Sequence, residues 1–287
     1  MEKNSPEQPN SDPQISDMPS SSASIDSFIP VDDYEEIVSV DGKKQKMRGI
    51  YLLPNLFTTG ALFSGFYALI AGMQAHYEVA AIAIFVAMFL DILDGRVARL
   101  ANAQSAFGAE YDSLSDMVSF GVAPAVVVYS WSLSSLGKFG WTAAFIYVAG
   151  AALRLARFNT QAASADKRYF TGLASPAAAS LVACMVWLSN DMGLVGSQLP
   201  KWLPVVASVV TIVAGLLMVS NFRYQSFKVV DVRKRVPFIV VILMIVLFSV
   251  VHIDPPFVLL AMLIIYALSG PVMGLWDYFA KSKKDFS

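Results

Sequence analysis

The apolar residues of this chain are gathered into blocks rather than spread in stripes, and that arrangement decides what it can fold into. Runs of roughly 18 to 25 residues with few charges recur along the sequence. At the rise of an α-helix such runs are long enough to cross the hydrocarbon core of a bilayer. Composition agrees, since 56% of the 287 residues are hydrophobic and 15% are charged. An ordinary soluble domain carries about a quarter charged residues. The expected fold class is therefore an all-α polytopic membrane protein.

Eight helices are predicted, near 50–73, 78–100, 108–134, 139–160, 173–192, 202–220, 236–252 and 255–275. The sixth and seventh are short, which leaves open a pair of interfacial segments there. Pro255 and Pro256 in "HIDPP" favour a break between the last two. Lys and Arg segregate onto alternate connections: "DGKKQKMRG", "GRVARLANAQ", "ADKRYF", "NFRYQSFKVVDVRKR" and the terminal "AKSKK" hold most of them. The intervening connections hold at most one Lys each. By the positive-inside rule both termini and the 91–116 segment face the cytoplasm, as in a bacterial inner membrane.

Residues 1–41, rich in Ser, Pro, Asp and Glu, are expected to be a disordered acidic tail, because they hold too little apolar surface to offset their ordering entropy. They lack the apolar core of a signal peptide. A basic juxtamembrane segment follows at 42–49 and reads either as an interfacial entry drawn to anionic headgroups or as a plain topogenic charge cluster. The core is placed at 50–220. A basic loop, two further helices and a short basic tail are placed at 221–287. Cys184 lies in an apolar run and is expected to be a small buried residue without a disulfide partner. Trp131, Trp141, Trp202 and Trp276, near predicted helix ends, are expected to anchor at the interface.

One stretch does not fit a plain membrane anchor. "DILDGRVARL", residues 91–100, puts two aspartates and two arginines where an apolar helix should be ending. Asp91 and Asp94 are three apart and share a helix face, and Asp112 and Asp116, four apart, share a face of the next helix. A connection of seven residues lets these helices run antiparallel, so all four carboxylates can converge at one depth. Two unit charges about 4 Å apart repel by roughly 4 kcal/mol at an effective dielectric near 20. Such a cluster therefore needs protons, cationic partners or a bound metal. Oxygen ligands alone suit Mg2+, Mn2+ or Ca2+. The bland alternative is a solvated helix end paired with Arg96 and Arg99. Another is a cation or proton pathway, although such sites sit nearer the bilayer midplane. Gly95, Ala98 and Gly108 leave room for a ligand beside the acids, and Arg99 can reach phosphate oxygens.

The spacing Asp91-x-x-Asp94-Gly95-x-x-Ala98-Arg99, eight residues, Gly108-x-x-x-Asp112-x-x-x-Asp116 resembles the complete signature of the CDP-alcohol phosphotransferases, with every fixed position in place. The resemblance implies a helical membrane metalloenzyme, commonly a homodimer, that moves a substituted phosphate from a CDP-linked donor to an alcohol and releases CMP. It implies that Asp91, Asp94 and Asp112 bind metal and that Asp116 lies at the metal site as the general base. Gly95 and Ala98 match positions that make room for the cytidine. "LLPNLFTTG" resembles the entry to the nucleotide pocket, with Asn55 and Thr58 as contacts. A carboxylate base is also what the chemistry leaves, because neither His76 nor His252 falls on the cytoplasmic side.

Within that family, makers of phosphatidylglycerol phosphate usually carry Lys after the fourth aspartate, where this chain has Met117. "SDMVSFGVAPA", "AALRLARFN", "FTGLASPAAA" and "SNFRYQSFK" are similar instead to the membrane-spanning phosphatidylserine synthases. That implies CDP-diacylglycerol and L-serine as substrates, with glycerol 3-phosphate or inositol phosphate as the alternative acceptors. Arg154 and Arg157, three apart on the fourth helix, with Asn159, are candidates to hold a carboxylate or phosphate, or else are topogenic cations. Arg223, Gln225 and Lys228 are candidates for donor phosphates. "DVRKR" reads as a surface run facing anionic lipid, and "SPAAAS" as close helix packing. Membrane lipids are the implied surroundings, and no nucleic-acid partner is implied.

Overall fold

The computed structural model describes residues 38–40, 43–45, 52–100, 105–161, 169–225 and 238–284. Contacts divide the chain into two units, Met1–Met47 and Arg48–Ser287. In the first, β1 (Val38–Val40) pairs antiparallel with β2 (Lys43–Gln45), Val38 opposite Gln45. The rest of the expected acidic tail lies outside the described residues.

The second unit is helical apart from one small ladder. Its helices are α1 (Leu52–Met73), α2 (Tyr77–Leu100), α3 (Ala106–Asp116), α4 (Ala123–Trp131), α5 (Lys138–Gln161), α6 (Ser175–Asp191), α7 (Leu203–Val219), α8 (Phe238–Ile253) and α9 (Pro255–Lys284). A π turn, Met117–Val122, joins α3 to α4, so the predicted 108–134 helix is two helices with a wider turn between them. α4 ends at Trp131, and a short 3-10 turn leads into Gly137, whose positive φ of 57° lets the chain reverse. β3 (Tyr169–Thr171) and β4 (Arg223–Gln225) pair antiparallel, Thr171 opposite Arg223.

The helix starts follow from local chemistry. Ser105 caps α3 by accepting from the Gly108 amide at 2.9 Å, and Asp254 accepts from the Phe257 amide at 3.2 Å at the head of α9. Proline sits in the first turn of α4, α6 and α7, where its missing N–H costs nothing. The α8–α9 break falls at the predicted prolines. α9 then passes through Pro271 and takes the terminal lysine run into the helix as far as Lys284.

Small residues make the packing. Ala61, Ala68 and Ala71 of α1 and Ala80, Ala81, Ala83 and Ala87 of α2 are all buried. α5 and α7 approach so closely that a Cβ on Gly150 would lie 2.4 Å from the Gly215 carbonyl oxygen. In lipid, where apolar side chains gain little by leaving hydrocarbon, such close backbone approach supplies the dispersion energy of association. α6 is the central helix, and Ala178 through Val186 are buried without interruption, Cys184 included. Large apolar residues such as Phe63, Phe248 and Ile265 point outward instead, as on a surface whose solvent is lipid.

Among the described residues, four stretches are long and apolar enough to cross a membrane: Asn55–Met73, Phe107–Trp131, Lys138–Thr160 and Pro255–Gly274. The other predicted segments are also helical, but α6, α7 and α8 are shorter and α2 carries the charged signature. One expectation is corrected. Trp131 is 2% exposed and its indole Nε1 donates to the Leu194 carbonyl at 3.0 Å, so it is a core residue rather than an interfacial anchor. Trp141, Trp202 and Trp276 are exposed.

Candidate active site

The C-terminal half of α2 and the whole of α3 supply the acids. Asp91, Asp112 and Asp116 offer carboxylate oxygens that all lie within 4.8 Å of one another. Asp91 is within hydrogen-bonding reach of both others. Three carboxylates at that spacing cannot all stay charged without a counter-ion, because each would repel its neighbours by several kcal/mol even at a moderate effective dielectric of roughly 20. An all-oxygen set of this kind fits a hard divalent cation.

Asp94 stands apart from this trio. It is 6% exposed, and its Oδ2 accepts from Thr58 Oγ1 at 2.7 Å. Thr58 is itself 3% exposed, and its carbonyl accepts from Ser115 Oγ at 3.2 Å. Further along the same contact, Ser119 Oγ donates to the Ala61 carbonyl at 3.1 Å. The serines of α3 and of the π turn thus pin that helical segment to α1.

A cleft of about 240 Å3 opens beside Asp94 and Asp112. Asn55, Thr58, Gly95, Ala98, Arg99 and Gly108, the residues singled out for nucleotide and phosphate, all line it. A Cβ on Gly95 would meet only the Arg99 guanidinium, at 3.6 Å, so its absence leaves free volume in the cleft. A Cβ on Gly108 would come within 3.0 Å of Ser105 Oγ and crowd the helix cap. Ser105 and Ala109 also line the cleft and were not expected there. The Ser105-x-x-Gly108 cap was the available signal for the first of them.

The basic residues separate. Arg154, from α5, lies in the electrostatic field of Asp116 and Asp91, and its Nη1 donates to Ser175 Oγ at the start of α6. Arg157, one turn on, points elsewhere and donates to Asn221 Oδ1 at 3.2 Å and to the Ser220 carbonyl at 3.4 Å. Asn159 is exposed and shares hydrogen bonds with Ser113. Arg223 and Gln225 sit in β4, where only their backbone is described, and Lys228 lies outside the described residues. Ser175, which accepts from Arg154, was not anticipated, nor were Tyr147 and Tyr266, which lie in electrostatic reach of it. Ser175 before Pro176 marked a helix start, while the tyrosines lie in apolar runs that give no hint of a polar role.

Acids on two adjoining helices beside a glycine-lined cleft describe a site for a polyanionic ligand and a cation, and comparison with known proteins makes this specific. Residues 51–214 match the family described as CDP-alcohol phosphatidyltransferase. The chain belongs to that family. Relatives of this CDP-alcohol phosphatidyltransferase include a Helicobacter pylori protein named CDP-diacylglycerol–serine O-phosphatidyltransferase, 36% identical over 227 residues that make up 79% of this chain and 92% of the relative. A Bacillus subtilis protein of the same name is 33% identical over 61% of this chain and 91% of its own length. A Mycobacterium tuberculosis protein, also of that name, is 39% identical over 53% of this chain and 55% of its own. Apolar helices and family together make this phosphatidyltransferase an integral membrane protein.

Proposed function

We propose that this phosphatidyltransferase transfers the phosphatidyl group of CDP-diacylglycerol to the hydroxyl of L-serine, giving phosphatidylserine and CMP. The observation that carries the reading is the abutment of the acid trio on the glycine-lined cleft, in a chain whose similar relatives bear that activity in their names. An apolar groove of about 390 Å3, bordered by Ile82, Phe85 and Phe89 of α2 and by Trp187 and Leu259, suits a donor that is half lipid.

In this reading the cytidine and its phosphates occupy the cleft, against Asn55, Thr58, Gly95, Ala98, Arg99 and Gly108. Asp91, Asp94, Asp112 and Asp116 would hold Mg2+ or Mn2+. Such a metal supplies positive charge for the pyrophosphate and for the departing CMP. Asp116 takes the proton of the serine hydroxyl, whose oxygen forms a bond to the phosphorus carrying diacylglycerol as the bond from that phosphorus to the CMP oxygen breaks. Arg154, in the electrostatic field of Asp116, receives the serine carboxylate or the transferred phosphate.

The proposal extends to the setting. About eight helices span the bacterial inner membrane, with both termini and the acids on the cytoplasmic side, a core over 50–220 and a homodimeric assembly. The test is CMP release by purified protein in lipid–detergent micelles with CDP-diacylglycerol, comparing serine, glycerol 3-phosphate and inositol phosphate under Mg2+, Mn2+ or chelator. Release that depends on metal and is stimulated by serine alone is expected. Stimulation by another alcohol would replace the acceptor, and ion flux without any CDP-lipid would replace the reading altogether.

A further inference from the structure

Three hydroxyls recur every four residues where α3 and the π turn meet α1: Tyr111, Ser115 and Ser119. Ser115 and Ser119 are buried and donate to backbone carbonyls of α1, at Thr58 and Ala61. Tyr111 comes first in the chain, at a position the aspartate signature leaves open, and it meets a side chain instead. Its hydroxyl lies 2.9 Å from Thr59 Oγ1, which in turn lies 2.7 Å from the Asn55 carbonyl oxygen.

The supply of protons fixes the direction of these two bonds. A carbonyl only accepts, so the single proton of the Thr59 hydroxyl is spent on Asn55, and the Tyr111 hydroxyl donates to Thr59. The Tyr111 ring stacks on Phe107, one turn earlier in α3, with centroids 5.9 Å apart and planes at 16°. The bonds end on a residue of the cleft. Asn55 lines it from α1, and a Cβ on Gly108 of α3 would lie 3.6 Å from Asn55 Oδ1, so the two walls come close here. Thr59 and Tyr111 each stand one residue from a lining residue, Thr58 and Asp112, and tie the walls together without occupying the ligand's space. Without that tie the buried serines would still hold α3 to α1, but the walls at Asn55 and Gly108 would be free to part.

We propose that Tyr111 is a positioning residue for the donor nucleotide: through Thr59 it latches α3 to the first turn of α1 and holds the gap between Asn55 and Gly108 at the width the nucleotide needs. This rests on the phosphatidyltransfer reading above, with the cytidine and its phosphates in the cleft.

The experiment compares full-length Tyr111→Phe, Thr59→Val, the two together, and Thr59→Ser in lipid–detergent micelles. CDP is the soluble probe, titrated by calorimetry with Mg2+ present. KM and kcat are measured separately for CDP-diacylglycerol and for L-serine. Phe keeps the stack on Phe107, and a cooperative unfolding transition shows that each variant retains the fold. Loss of one neutral hydrogen bond predicts a CDP dissociation constant raised about fivefold in Tyr111→Phe. The KM for CDP-diacylglycerol should rise with it, while kcat and the KM for serine hold. Thr59→Val should match Tyr111→Phe, and the double variant should be no worse than either, because both remove the same bond. Thr59→Ser keeps the hydroxyl and should bind CDP as wild type does. Unchanged CDP affinity in Tyr111→Phe, losses that multiply in the double variant, Thr59→Ser as weak as Thr59→Val, or an equal loss toward serine would each overturn the proposal. If wild-type protein binds CDP but uses another alcohol, only the serine assignment falls, and the CDP titrations still decide the role of Tyr111. If wild-type protein neither binds CDP nor releases CMP, the transfer reading falls and takes the nucleotide role of Tyr111 with it.

Discussion

Asp94 has the Thr58 hydroxyl on its carboxylate, whereas Asp91, Asp112 and Asp116 have chiefly one another. The two circumstances predict opposite responses to substitution. Thr58→Val keeps the shape but takes one donor from a buried carboxylate, which costs about 1–3 kcal/mol. A lowered unfolding midpoint and a raised KM for the CDP-lipid are the expected outcomes. Asp116→Asn removes a like charge from a crowded group, so its unfolding midpoint in chelator should hold or rise. Its turnover should fall by at least about 100-fold, the usual contribution of a general base. CMP release and thermal unfolding on the same preparation check both halves of that expectation. Retained turnover would remove Asp116 from the chemistry.

At the scale of elements, the contact between α1 and the π turn is the tightest near the acids. A Cβ on Gly65 would lie 2.3 Å from Ser119 Oγ and 2.6 Å from Ser119 Cα, so Gly65→Ala must push backbone against backbone. The expected cost is about 1–3 kcal/mol of overpacking. Activity should drop with it, because α1 also carries Asn55 and Thr58 into the cleft. Wild-type stability and turnover in Gly65→Ala would show that the π turn yields freely. The helices themselves were legible in the sequence, because an apolar run bounded by charges or prolines needs no tertiary information to be read. The π turn was not: "MVSFGV" differs from an α-helix in its hydrogen-bond ladder rather than in its residue pattern. The burial of Trp131 was hidden for a related reason, since a helix end names a depth and not a facing direction. The aspartate spacing placed four acids on two faces, and Gly95, Ala98, Arg99 and Gly108 of the cleft followed from the signature, whereas Ser105 and Ala109 did not. The divergence of Arg154 from Arg157, three apart, depends on what α6 and the Ser220–Asn221 turn offer each of them.

For the whole molecule, the acid trio is a standing cost that a bound divalent cation would relieve. A ligand that binds only the folded state stabilises it by about 2.7 kcal/mol at 100 times its dissociation constant. Adding Mg2+ or Mn2+ to chelated protein should therefore raise its unfolding midpoint without any lipid or alcohol present. An Asp91→Asn, Asp112→Asn variant should lose that response. A midpoint indifferent to divalent cations would mean that protons or Arg154 already balance the acids.

The Thr58 peptide reaches α2 with its side chain and α3 with its carbonyl, by way of Asp94 and Ser115. One uncharged residue on a third helix thereby gauges the gap between the two acid-bearing helices. If α1 slides, both bonds are stretched at once, so the width of the cleft and the spread of the carboxylates cannot be adjusted separately. A donor that wedges the cleft open would be felt at the acids before any alcohol arrives.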